Sequence, residues 1–277
     1  MKKNLKLSFM AMLAFILVLL TACGSSESST ADKGTSSSDE AEKKTIKVVT
    51  NAAYAPMEYL EGDKIVGFDV DFVRAVIEEA GYEMDLVNTG WDGIFVEVEG
   101  ETAQVGLGSI TINEERQESY DFSVPYYLST IKILVPEGSD IKSAEDLKGK
   151  VVAVQNGTTG QAAAESVLGK DYRDMKKFED NNLAIQELLS GGAEAVLADN
   201  TIVEEYAKNN LEKNLTVVED AEAFDAEFYG LLLPKGSELK PEIDAAINAI
   251  FDNGKYTEIY KEWFGNEPNV EKLKEQQ

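Results

Sequence analysis

Residues 151–168 read VVAVQNGTTGQAAAESVL. Val151 to Val154 suit a buried strand, because branched side chains pack well on a pleated surface. From Gly160 to Leu168 the composition changes to Ala, Gln, Glu and Leu, which favour a helix. Between them Gly157-Thr158-Thr159-Gly160 supplies the turn. A strand passing straight into a helix is the unit of an α/β fold. The turn is no phosphate loop, since no Gly-Lys-Ser/Thr follows it. It is either ordinary turn chemistry or a helix start able to hold an anion.

The same alternation extends in both directions. Upstream, Ile46 to Val49, Asp85 to Val87, Val105 to Leu107 and Ile131 to Val135 read as strands. Val73, Val76, Ile77 and Ala80 recur at helical spacing, with Gly81 as a stop. Ser143-Ala144-Glu145-Asp146 has the form of a capping box. Downstream, Ala184, Ile185, Leu188 and Leu189 make a helical face closed by Gly191-Gly192. Ala195 to Leu197 and Leu215 to Val218 read as strands flanking a helix from Val203 to Lys208. Phe228 to Leu233 is a further β run, followed by helices at Ile243 to Phe251 and Tyr256 to Phe264. The residues after Phe264 read as a polar surface extension. Short connections predict mainly parallel pairing, and two successive α/β sets of about 90 residues predict two lobes.

Composition narrows the chemistry. The 277 residues carry 26 Lys+Arg against 51 Asp+Glu, a formal charge of −25, with no histidine and one cysteine. Without histidine the Ser-His-Asp and Cys-His nucleophiles are excluded. One cysteine cannot build a structural zinc site, so neither metal nor cofactor is expected. The acidic balance argues against a nucleic-acid partner.

The N-terminus is an address. Lys2, Lys3 and Lys6 precede the apolar run Leu7 to Leu20, which is followed by Thr21-Ala22-Cys23. This pattern is a secretory signal over residues 1–22, shorter than the roughly 20 apolar residues that span a bilayer. Leu20-Thr21-Ala22-Cys23-Gly24 resembles a bacterial lipobox, which implies lipid attachment at Cys23. Residues 24–44 hold seven serines and no aromatic. With Cys23 they read as a flexible tether over 23–44, with a span of roughly 25 Å.

The densest signals are Tyr54-Ala-Pro-Met-Glu-Tyr59, Gly67-Phe-Asp-Val-Asp71, Ser109-Ile-Thr-Ile-Asn-Glu-Glu-Arg116 and Tyr120 to Tyr127. In order and spacing they resemble the polar amino-acid solute-binding proteins of ABC importers. The likeness runs from about Thr45 to Pro268. Val154 to Gln161, Lys177 to Asp180 and Asn253 to Tyr256 resemble the arginine/lysine/histidine-binding lipoproteins of Gram-positive bacteria.

The resemblance implies a two-lobed type II periplasmic-binding-protein fold with a two-strand hinge. Lobe 1 is expected over 45–130 plus 229–277 and lobe 2 over 131–228, with crossings near Thr130 to Val135 and Phe228 to Leu232. It implies that Arg116 clamps a ligand carboxylate with Thr111, Thr158 and Thr159. It further implies that Asp199 and Ser109, in the run with Ile110, take the ammonium. A planar guanidinium suits a carboxylate, and each ligand charge that loses water must meet an opposite charge or a hydrogen bond. Asp199 also fits a helix N-cap. Tyr54 and Trp91, the latter in a loop-like setting, face the ligand side chain beside Asn51 and Gln155, or belong to the core. Asn51 stands where the resembling proteins have Asp, so cationic and neutral polar amino acids both remain open.

The implied output is delivery without chemistry. An extracytoplasmic, lipid-anchored monomer would hand a free amino acid to a membrane permease. A sensor module for a receptor, or a dehydratase on the same scaffold, are the alternatives.

Overall fold

The computed structural model describes residues 44–277. The expected signal, Cys23 and the tether up to residue 43 lie outside the described residues. The first lobe opens with β1 (Thr45–Thr50), then a small antiparallel flap of β2 (Ala53–Tyr54), β3 (Glu58–Glu61) and β4 (Lys64–Val66). It continues through α1 (Phe68–Glu79), β5 (Glu83–Asn88), α2 (Trp91–Glu99), β6 (Val105–Gly106), α3 (Glu114–Ser119) and β7 (Tyr120–Phe122).

The long strand β8 (Tyr127–Pro136) carries the chain into the second lobe. There β9 (Val152–Gln155), α4 (Thr159–Leu168), β10 (Met175–Phe178) and α5 (Asn181–Leu189) follow. Next come β11 (Ala195–Asp199), α6 (Asn200–Asn209) and β12 (Leu215–Val218). The return is β13 (Ala226–Tyr229), then β14 (Leu232–Pro234), α7 (Lys240–Asp252), α8 (Lys255–Phe264) and α9 (Val270–Lys274).

One sheet has the order β5-β1-β6-β14-β7 and the other β10-β9-β11-β8-β12, so the α/β fold is two-lobed. Pairing is parallel at β1–β5, β1–β6, β9–β10 and β9–β11. It is antiparallel wherever β8 or β14 takes part, which corrects the expectation of mainly parallel sheets. The reason is topological: a strand that crosses between lobes meets its neighbours running the other way.

The hinge is itself a ladder. Residues 127–130 of β8 pair with β13 in the register Ala226↔Thr130, Glu227↔Ser129, Phe228↔Leu128 and Tyr229↔Tyr127. The apparent single β run from Phe228 to Leu233 is thus two strands in different sheets, separated at Gly230. An aromatic base supports the hinge. Phe72 stacks on Tyr126 at 4.3 Å, Tyr127 on Tyr229 at 5.5 Å, and Tyr256 meets Phe251 edge-on at 4.7 Å. The aromatic runs Tyr120 to Tyr127 and Tyr256 to Phe264 therefore serve packing. The C-terminal residues also differ from expectation: Leu273 of α9 is buried against the core, so the tail after Phe264 ends in a docked helix. Among the described residues no helix is long and apolar enough to cross a membrane.

Candidate ligand-binding site

Asn113 starts α3, its side chain accepting from the Arg116 backbone N–H at 2.9 Å, so Arg116 falls in the first turn. The Arg116 guanidinium then donates to Thr111 O at 2.9 Å and across the cleft to Gly157 O at 3.3 Å. Its Cζ lies 5.6 Å from the Trp91 ring and 5.5 Å from Phe95, within reach of cation–π attraction. Burial pulls the guanidinium below its ordinary pKa, while Asp199, Glu227 and Glu115 oppose that shift. It remains a cation at any physiological pH.

Facing it are the ends of β9 and β11 in the second lobe. Helix α4 packs so closely on β11 that a Cβ at Gly160 would stand 2.7 Å from the Leu197 carbonyl oxygen. That approach sets Thr158 and Thr159 beside Asp199. Thr158 caps α4, accepting from Gln161 N at 3.3 Å and donating to Gln155 O at 2.8 Å. Asp199 occupies the N-cap position of α6, yet its side chain makes no capping bond. It accepts instead from Ser129 Oγ at 3.2 Å on the hinge strand. A carboxylate excused from capping is available to a cation.

Asn51, Tyr54, Trp91, Ser109, Thr111, Arg116, Gln155, Thr158, Thr159 and Asp199 line one pocket between the lobes. Ile110 does not. Its side chain is fully buried in an apolar cluster with Val49 and Ile94, and its carbonyl accepts from Gly230 N at 3.0 Å. Trp91 is the first residue of α2, not part of a loop. Tyr54 and Trp91 are 7% and 9% exposed, so each is both core and cleft wall. The Tyr54 hydroxyl bonds Thr201 Oγ1 of the second lobe at 2.7 Å. Gln155 is held by Asn181 Nδ2 at 2.8 Å and donates to Glu179 O at 3.0 Å. The pocket's free volume is about 20 Å³, little more than one water occupies. The lobes must part before anything larger enters.

Glu58 and Asp69 escaped the reading of individual residues, although both lie in stretches quoted for their motifs. Glu58 lines the pocket and is 1% exposed; Asp69, behind it, is fully buried. Asp69 Oδ2 accepts from Ser109 N at 3.0 Å, Ser109 Oγ at 3.2 Å and Tyr126 Oη at 2.7 Å. This grip holds Ser109 in a left-handed conformation, φ 50°, which non-glycine residues adopt only under local support. Glu58 Oε2 and Asp69 Oδ1 are both buried without a hydrogen-bond partner. Burial, with the Asp69 charge adding to it, raises Glu58 well above the usual range, and burial raises Asp69 to about 6.

Between about pH 4 and 7 the folded chain binds more protons at these carboxyls than the unfolded chain does, so stability falls as pH rises through that window. The ligand-free protein is expected to melt at a higher temperature at pH 5 than at pH 8. The Asp69 contribution alone is on the order of 2–3 kcal/mol. Thermal unfolding by circular dichroism measures it, and a flat or rising profile would contradict the burial of this pair.

Glu227 on β13 was missed, because an acidic residue two positions after Asp225 carries no signal that distinguishes it from surface charge. Its Oε2 accepts from both Thr111 Oγ1 and Thr159 Oγ1, each at 2.9 Å. Burial pushes the Glu227 and Asp199 carboxyls upward, and the Glu227 charge raises Asp199 further.

Known proteins share this architecture. The crystal structure of the arginine-, lysine-, histidine-binding protein ArtJ from Geobacillus stearothermophilus superposes with a TM-score of 0.82 at 51% identity, covering 83% of this chain and 100% of that one. The arginine-binding extracellular protein ArtP of Bacillus subtilis is 34% identical over 96% of this chain and 100% of its own. A probable histidine-binding protein of Neisseria gonorrhoeae is 32% identical over 95% and 97%. A family model matches residues 46–266, spanning both sheets and every residue of the pocket. The chain therefore belongs to the bacterial extracellular solute-binding proteins, family 3.

Proposed function

We propose that this protein is the extracytoplasmic binding component of an ABC importer, closing its lobes on a free amino acid with a cationic side chain. The observation that carries the reading is the opposition of Arg116 and Asp199 across one pocket, with donors and acceptors for both ends of a zwitterion. Carboxyl groups outnumber the single guanidinium: Asp199 and Glu58 line the pocket, Glu227 is bonded to the wall threonines Thr111 and Thr159, and Asp69 lies behind Glu58. A larger opening of about 750 Å³ on the outer side of Arg116 is lined by Asp92, Glu115, Glu118 and Glu165, with Lys170 as counterweight. An acidic mouth draws cations toward the cleft. The relatives named for arginine, lysine and histidine support the same class.

The energetics are sufficient. A ligand of arginine size has about 12 non-hydrogen atoms at a ceiling near −1.5 kcal/mol each, while submicromolar binding requires only about −8 kcal/mol. Residues in lobe 1 are Asn51, Tyr54, Trp91, Ser109, Thr111 and Arg116; those in lobe 2 are Gln155, Thr158, Thr159 and Asp199. A ligand bridging the two sets stabilises the closed form by its differential contacts. The closed form is what a membrane permease reads. Lipid attached at Cys23 keeps the monomer at the outer face of the cell membrane of a Gram-positive bacterium. No catalytic role is assigned.

A thermal-shift screen of the twenty amino acids, ornithine and cystine tests this. Arginine or lysine should raise the melting temperature by mass action. A response to glutamine alone removes the cationic part of the reading, and no response at all removes the amino acid. Asn51→Asp should raise the affinity for arginine relative to glutamine by about tenfold or more, as a charge-assisted bond of roughly 1.5–3 kcal/mol would. An unchanged ratio in calorimetry would mean that Asn51 does not face the ligand side chain.

A further inference from the structure

Thr111 belongs to the first lobe and Thr159 to the second, yet their hydroxyls converge on one oxygen. That oxygen, Glu227 Oε2, sits on the hinge strand that returns the chain between lobes, opposite Ser129. We propose that Glu227 is a positioning residue, a hinge-borne clasp that ties Thr111 to Thr159 and so holds the cleft shut around its ligand.

Three observations converge on it. The loop carrying Thr111 is bound along β13, with Ile112 N donating to Phe228 O at 2.8 Å and Gly230 N to Ile110 O at 3.0 Å. Thr111 therefore stays beside Glu227 whether the lobes are open or closed. Thr159 begins α4, so it reaches Glu227 only when the second lobe swings in. The contact is thus made on closure and broken on opening. The remaining bridges are weaker or lack full charge: Arg116 to Gly157 O at 3.3 Å, Asn182 Nδ2 to Ala53 O at 2.8 Å and Tyr54 to Thr201.

The clasp also sorts the ligand's two ends. A hydroxyl has one proton to donate, and Thr111 and Thr159 both give theirs to Glu227. Toward the pocket they offer lone pairs, which suit an ammonium. A ligand carboxylate is left with the Arg116 fork and backbone N–H groups. The carboxylate of Glu227 lies near enough to Arg116 to feel its charge, which lowers the cost of keeping an anion there.

The role assigned to Glu227 rests on amino-acid binding, but its ligand-free test does not. Trp91 packs across the cleft, its Nε1 lying 3.4 Å from where a Cβ on Gly157 would stand, and Trp263 is the only other tryptophan. In a Trp263→Phe background, Trp91 emission reports closure without ligand. Glu227→Ala should shift that emission to the red in the ligand-free protein. It should also raise the dissociation rate of L-arginine at least tenfold in stopped flow, with the association rate changed less than threefold. Glu227→Gln, whose amide oxygen can accept both hydroxyls, should restore most of the closure. Thr111→Val and Thr159→Val should be non-additive in the parent and additive in Glu227→Ala.

Unchanged ligand-free emission, additive threonine effects in the parent, or tighter arginine binding by Glu227→Ala would each overturn the clasp. Tighter binding in particular would make Glu227 a competitor for the ligand carboxylate. If the parent responds to none of L-arginine, L-lysine, L-histidine and L-glutamine, the functional reading fails, while the ligand-free emission still decides the clasp.

Discussion

Arg116→Ala should leave the protein folded and lower its amino-acid affinity by at least a hundredfold. Among the described residues that line the pocket, Arg116 is the only cation, set against Asp199 and Glu58. A ligand carboxylate entering this site gives up its water and meets the planar fork of the guanidinium. Removing one partner of a desolvated charge pair costs about 3–5 kcal/mol, because the other is left buried and unmatched. That range is a factor of about 150 to 4,000 in affinity. The ligand-free protein responds too. Arg116 is the cation that Asp199 and Glu227 both feel, so its loss leaves their repulsion unopposed and favours the open cleft. Arg116→Lys keeps the charge but loses the fork and the bond to Thr111 O, and should fall between parent and alanine variant. Isothermal calorimetry on all three, with melting curves to confirm folding, measures the effect. Unchanged affinity in Arg116→Ala would remove Arg116 from the site.

How much of this was legible in the sequence depends on the range over which each signal acts. The strand-turn-helix of residues 151–168 is local, and it holds to within one residue at either element. The turn predicted at Ser143 and Asp146 is local as well, and there Asp146 Oδ2 accepts from Ser143 N and from Ser143 Oγ, each at 3.0 Å. Pairing direction is not local. It follows from β8 and β14 crossing between lobes, a property of the whole path. The C-terminal helix was hidden because Val270 and Leu273 are two apolar residues in a charged run, and their burial depends on a surface that other elements supply. The site divides in the same way. Residues whose chemistry matches a ligand group, such as Arg116 and Asp199, could be named from their motifs. Ile110 lies between two pocket residues, but the backbone alternation that turns Ser109 and Thr111 inward turns it into the core. Glu58 and Glu227 act through a buried carboxyl neighbour and a pair of hydroxyls, which no spacing in the chain encodes.

Gly67→Ala should destabilise the protein by at least about 3 kcal/mol and weaken binding, although residue 67 touches no ligand. Gly67 has φ 140° and ψ 169°, a backbone region that L side chains avoid. A Cβ there would stand 2.0 Å from Met57 O, 2.4 Å from Met57 C and 2.9 Å from Glu58 N. All three are backbone atoms, so no side-chain rotation relieves the clash. Either the flap or the start of α1 must move, and the two are tied by Phe68 N to Pro56 O at 3.0 Å and Asp69 N to Met57 O at 2.9 Å. Movement between them separates Glu58 from Asp69, which unseats Ser109 from its grip and loosens the pocket floor. For a domain of this size, 3 kcal/mol lowers the melting temperature by roughly 6–12 °C. Gly62→Ala supplies the control. Its φ is also positive, 63°, but nothing lies within 4 Å of the added Cβ, so it should cost only about 1 kcal/mol and leave binding intact. If the two variants melt together, backbone conformation alone accounts for both and the close approach of Gly67 to Met57 carries no energy. If Gly67→Ala melts far below Gly62→Ala and also binds arginine more weakly, the packing of flap on helix is what holds the floor of the site in place.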